Sequence, residues 1–67
     1  MVTIEFNGVK SQVDEKTTVE DLLRSSNVQS RFCAVELNLE IVPKDQYPTR
    51  SFCDGDKIEV VTLVGGG

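Results

Sequence analysis

A chain of 67 residues supports one compact domain, since a domain of this length buries only about 60% of the surface its unfolded chain exposes. Apolar residues at 39% and charged residues at 27% give the balance of a globular protein rather than a disordered or membrane-embedded one. The net charge of −4 repels phosphate backbones and anionic headgroups, so neither nucleic acid nor a membrane surface is an expected partner.

Met1 leads straight into an alternating pattern, without the charged region, apolar run and cleavage site of a signal peptide, and the expected location is cytoplasmic. Val2, Ile4 and Phe6 alternate with Thr3 and Glu5, the period of a strand with one buried face. Asn7-Gly8 follows, a dipeptide suited to the two left-handed positions of a tight hairpin turn, and Val9, Ser11 and Val13 continue as the returning strand. Thr18 stands three residues before Asp21, a spacing that lets their side chains satisfy free amides of a helix's first turn. Val19, Leu22 and Leu23 then form the apolar stripe of a helix that Ser25, Ser26 and Asn27 end.

Cys33, Val35 and Leu37 alternate as a third strand, broken at Asn38, a residue that tolerates left-handed backbone. A short segment from Leu39 to Val42 comes next. Pro43 and Pro48 bracket a polar stretch that reads as an irregular connection, and Asp54-Gly55-Asp56 turns the chain into a last strand from Lys57 to Val64. The order ββαβββ predicts an α+β fold of the ubiquitin-like β-grasp class: a mixed four- to five-stranded sheet crossed by one helix on a single face. The β-grasp domain is expected over residues 1–64 and a flexible glycine tail over 65–67. On the last strand Ile58, Val60 and Thr62 share one side, and Glu59, Val61 and Leu63 the other. One helix cannot cover both, so the second face is either roofed by the Pro43 to Phe52 loop or a docking surface.

The residue inventory argues against catalysis by the chain itself. It has no histidine, no cysteine beside a candidate base and no glycine-rich loop between strand and helix. Its carboxylates, among them Asp14, Glu15, Glu20 and Asp21, read as solvated surface. Cys33 and Cys53 lack the close pairing of zinc sites and read as ordinary small apolar side chains in a reduced compartment; no metal site is expected. Gly65-Gly66-Gly67 after the last strand neither packs nor extends a sheet. In isolation such a tail is equally a frayed terminus. Behind a β-grasp, a thin tail can instead thread a partner's channel, reaching about 10 Å beyond its last anchored residue. A terminal carboxylate is a poor electrophile, so the carried group would require activation by a partner, typically through an acyl-adenylate.

The run Val35-Glu36-Leu37-Asn38-Leu39-Glu40-Ile41-Val42-Pro43, then Asp54-Gly55-Asp56-Lys57-Ile58-Glu59, then the closing Gly66-Gly67, resemble the ThiS family of sulfur carriers in thiamin thiazole biosynthesis across essentially the whole chain. The resemblance implies that the Gly67 carboxylate is adenylated by an E1-like enzyme of the ThiF type, with ATP and magnesium used by that enzyme and no cofactor held by the chain. Sulfur from a cysteine desulfurase then converts it to a thiocarboxylate, which serves a thiazole synthase of the ThiG type. Gly65 and Gly66 would thread the partner, and strand parity makes Val61 and Leu63 the candidates for docking. The sequence departs from the family pattern at Tyr47, where several relatives carry another aromatic, and in its third glycine, Gly65; neither alters the chemistry. A molybdopterin-type sulfur carrier and a ubiquitin-related protein modifier are the alternatives with the same tail, and an interaction module with an inert tail is the remaining one.

Overall fold

The apolar alternation of the strands and the short helical stripe leave one arrangement that buries both, a sheet with its single helix on one side. The computed structural model describes residues 1–28 and 33–62 and has this form. Strands β1 (Val2–Phe6), β2 (Val9–Val13), β3 (Cys33–Leu37), β4 (Glu40–Ile41) and β5 (Lys57–Thr62) are accompanied by helix α1 (Val19–Ser25) and a 3₁₀ turn at Lys44–Gln46. The sheet order is β2-β1-β5-β3-β4. β5 is therefore central, parallel to β1 and antiparallel to β3. The expected mixed sheet and its crossing helix are present among the described residues; the end of the last strand at Val64 and the tail at 65–67 lie outside them.

Asn7 adopts φ 49 and Gly8 φ 84, the two left-handed positions that the first hairpin turn requires. Thr18 caps α1 as its spacing with Asp21 predicts: the Asp21 amide donates to Thr18 Oγ1 at 3.2 Å, and the Thr18 amide donates to Asp21 Oδ2 at 3.2 Å. A helix of only two turns is marginal by itself, and the rest of its free donors are met from outside. Val19 N–H donates to the Arg50 carbonyl at 2.9 Å and Glu20 N–H to the Tyr47 carbonyl at 3.0 Å. The Pro43 to Phe52 connection therefore lies along the helix, on the core side of the sheet.

That position settles the two readings of the loop. It buries Val42, Tyr47 and Phe52 in the same core as Val19, Leu22, Leu23, Ile4, Val35 and Ile58, and it leaves the opposite face of the sheet without a roof among the described residues. Each fully buried aliphatic side chain contributes about 1.5–3 kcal/mol. The polar stretch between the prolines is thus a core-forming segment rather than only a connection. Cys33 is buried with it, as expected, whereas Cys53 is exposed. Its alternation from the core stops at the turn into β5, where Cys53 N–H donates to Asp56 Oδ2 at 2.8 Å.

β5 is held by side chains as well as by strand pairing. β1 pairs with it in parallel at only two positions, Glu5 with Lys57 and Phe6 with Ile58. Beyond them the carboxamide of Asn7 takes over, accepting from Val60 N–H at 2.8 Å and donating to the Val60 carbonyl at 3.4 Å. Asn38 does the same at the start of the strand: its Oδ1 accepts from Lys57 N–H and its Nδ2 donates to Asp56 Oδ1, each at 3.0 Å. Asp54 extends the ladder backwards by accepting from Thr3 N–H at 2.8 Å. Replacing Asn7 by glycine keeps the left-handed turn and deletes the clamp. Asn7→Gly is expected to lower stability by about 1 kcal/mol, read as a lower urea midpoint at unchanged slope.

Candidate functional site

The parity of β5 comes out as the sequence pattern predicts. Ile58 is fully buried beneath α1, whereas Val61 is 58% exposed on the other face. Val61 stands beside Ala34 of β3, and Glu59 beside Glu36. β4 adds Ile41, paired with Glu36 and 64% exposed. At the tip of the β3–β4 hairpin sits Leu39, 88% exposed. Of the two residues assigned to docking, Val61 therefore lies on the open face; Leu63, like Gly65, Gly66 and Gly67, is outside the described residues. Leu39 and Ile41 were not singled out by strand parity, because Leu39 is in a turn and β4 is only two residues long.

The face is shallow and charged. A depression of about 250 Å³ is bordered by Glu5, Glu36, Leu39, Lys57 and Glu59. Glu5 has a lysine as register neighbour on either side, Lys10 on β2 and Lys57 on β5. Glu36 and Glu59 face one another across the strands and form no ion pair among the described residues, where the ion pairs are those of Arg24 with Glu20 and Asp21. Like charges directly opposite one another destabilise a strand pair. No group of three or more metal-ligating side chains occurs among the described residues, and no helix there is long and apolar enough to cross a membrane.

Sulfur could in principle be carried on a cysteine instead of a chain terminus, and the geometry separates the two thiols. Cys33 is 1% exposed, burial pushes its thiol upward, and the nearby Lys44 charge and its hydrogen bond with the Tyr47 hydroxyl only partly oppose that shift. Tyr47 is raised in turn, chiefly by its own burial. A buried thiol held protonated is neither nucleophile nor carrier at neutral pH. Cys53 is exposed on the turn with no acid or base aimed at its sulfur among the hydrogen bonds described.

The comparisons with known proteins cover this whole arrangement. The model of the ThiS family matches residues 2–67. The sulfur carrier protein ThiS of Bacillus subtilis is 38% identical over 96% of this chain and 98% of its own length. A thiazole synthase of Paramagnetospirillum magneticum is 49% identical over 92% of this chain, which spans only 19% of that protein's length. The crystal structure of a thiamine biosynthesis protein (ThiS) from Geobacter metallireducens superimposes with a TM-score of 0.80 at 33% identity, covering 98% of this chain and all of that one.

The burial of the two thiols has a direct readout. With a thiol reagent at mildly alkaline pH, Cys53 is expected to label at the rate of a free cysteine, and Cys33 at least about a hundredfold more slowly, through opening of the core. Mass spectrometry of digested, partly labelled protein checks the assignment; equal rates would mean that β3 is not packed as described.

Proposed function

This chain belongs to the ThiS family, and from that membership we propose that it is a sulfur carrier of thiamin thiazole biosynthesis whose working group is the carboxylate of Gly67. The observation that carries the proposal is the match to the Bacillus subtilis sulfur carrier, 38% identical over 98% of that protein's length. The proposal requires a chain whose terminus is Gly67.

The chemistry follows from the terminus. One oxygen of the Gly67 carboxylate attacks ATP on an adenylating enzyme of the ThiF type, which uses magnesium, and pyrophosphate leaves. The acyl-adenylate has a good leaving group, so the terminal sulfur of a desulfurase persulfide attacks the acyl carbon and AMP departs. Reductive cleavage of the resulting disulfide by a thiol leaves the thiocarboxylate. The chain is the substrate in each step rather than the catalyst, and dependence on ATP and reduced thiols fits a cytoplasmic site. A thiazole synthase is the acceptor; supporting this, thiazole synthases of Paramagnetospirillum magneticum and Magnetococcus marinus each contain a stretch similar to this chain within one polypeptide.

In this reading the fold serves to present the tail. β5 is clamped at Val60 by Asn7, so the chain beyond Thr62 departs from a fixed point, and Gly65 and Gly66 offer no side chain to a narrow channel. Incubation with ATP, magnesium, the adenylating enzyme, a cysteine desulfurase and cysteine is expected to exchange one oxygen for one sulfur in the intact mass. Deleting Gly67 should abolish the exchange and Cys53→Ser should not. Gain of a sulfur without loss of an oxygen would place a persulfide on Cys53 and overturn the proposal. Gly66→Val is expected to lower adenylation at least about a hundredfold with the melting temperature unchanged.

A further inference from the structure

We propose that the tip of the β3–β4 hairpin, Leu39 supported by Ile41, is the element by which the thiazole synthase recognises this carrier. The inference rests on the function proposed above and adds the surface that the acceptor grips.

Leu39 carries two costs that folding does not require. Its backbone is left-handed, at φ 71, a conformation in which a bulky side chain crowds its own carbonyl and which glycine adopts freely. Its side chain is 88% exposed, so it recovers almost nothing by burial. Asn38 beside it, at φ 53, is explained by its bonds to Asp56 and Lys57. Leu39 makes no such contact, and a glycine would close the same turn. A strained apolar residue that the fold does not use is a residue available to a partner.

The surroundings define that partner's chemistry. Leu39 forms one lip of the open-face depression, whose other charged borders are Glu5, Glu36, Glu59 and Lys57. Glu36 and Glu59 are register partners that form no ion pair among the described residues, leaving one lysine, Lys57, against three carboxylates around the depression, and Ile41 flanks them on β4. The complementary surface is an apolar socket rimmed by lysine or arginine, which would bury Leu39 and Ile41 and neutralise the carboxylate pair together. The synthase is assigned as the occupant because the similar stretch in thiazole synthases shares one polypeptide with them.

The test uses the full chain and the source organism's thiazole synthase, with calorimetric titration at low and high salt. Leu39→Gly is expected to melt about 2–5 °C higher, because the strain is relieved, and to bind the synthase at least about tenfold more weakly. Ile41→Thr, which keeps a β-branched residue in β4, should weaken binding severalfold. Glu59→Gln should weaken it and flatten its salt dependence. Thiocarboxylate formation by the adenylating enzyme should proceed at the native rate in Leu39→Gly. Native affinity in both Leu39→Gly and Ile41→Thr overturns the inference, as does a lower melting temperature for Leu39→Gly, or loss of adenylation with synthase binding intact. If the unmodified chain fails to form a thiocarboxylate, the proposed function falls first; if it forms one and transfers sulfur while both variants match it, only the hairpin assignment falls.

Discussion

The bonds that hold β5 in the middle of the sheet are the constraint on which everything else in this molecule depends. β5 joins the N-terminal hairpin to the β3–β4 hairpin, and it carries the chain toward its glycines. Its parallel pairing with β1 covers two residues, against five in its antiparallel pairing with β3. Three polar side chains make up the difference. Asn38 and Asp54 hold the turn that leads into the strand, and Asn7 acts as one more peptide group opposite Val60. Asparagine suits the two turns for one reason: its carboxamide mimics a peptide, and its short side chain tolerates left-handed backbone.

With β5 so placed, the division of labour between the faces follows. The helix and the segment from Pro43 to Phe52 pack together on one side, each supplying what the other lacks: the loop carbonyls of Tyr47 and Arg50 finish the helix's first turn, and the helix gives the loop's Tyr47 and Phe52 a wall to pack against. The opposite side carries charged residues, Glu5, Glu36, Lys57 and Glu59 among them, and a few exposed aliphatics. With the helix and this segment both on one face, the other face is uncovered among the described residues.

Much of this was legible in the sequence. The alternation of Val2 to Phe6, the Asn7-Gly8 turn, the Thr18–Asp21 capping box and the parity of β5 are local rules with a single outcome, and the structure follows them. What was not legible depends on distance. Tyr47 reads as part of a polar connection until the helix is seen to receive its carbonyl. Cys53 shares the apolar character of Cys33 but lies where the chain turns, so its neighbours in sequence do not predict its exposure. Leu39 was hidden for a different reason: the turn was readable from Asn38, but the left-handed strain falls on the residue after it, where composition suggests only an apolar start to the next segment. The glycines at the end of the chain lie outside the described residues, and their role is the one proposed above.

The clamp between Asn7 and Val60 joins residues 53 positions apart, and this sets an order of assembly. Contacts so distant in sequence close slowly, because the entropy of the intervening loop must be lost before they form. Local elements such as the first hairpin can form early, but the centre of the sheet has to wait for β5, which comes after every other element in the sequence. Until β5 pairs, the sheet has a gap between β1 and β3, and each of those strands presents an unpaired edge to whatever is nearby.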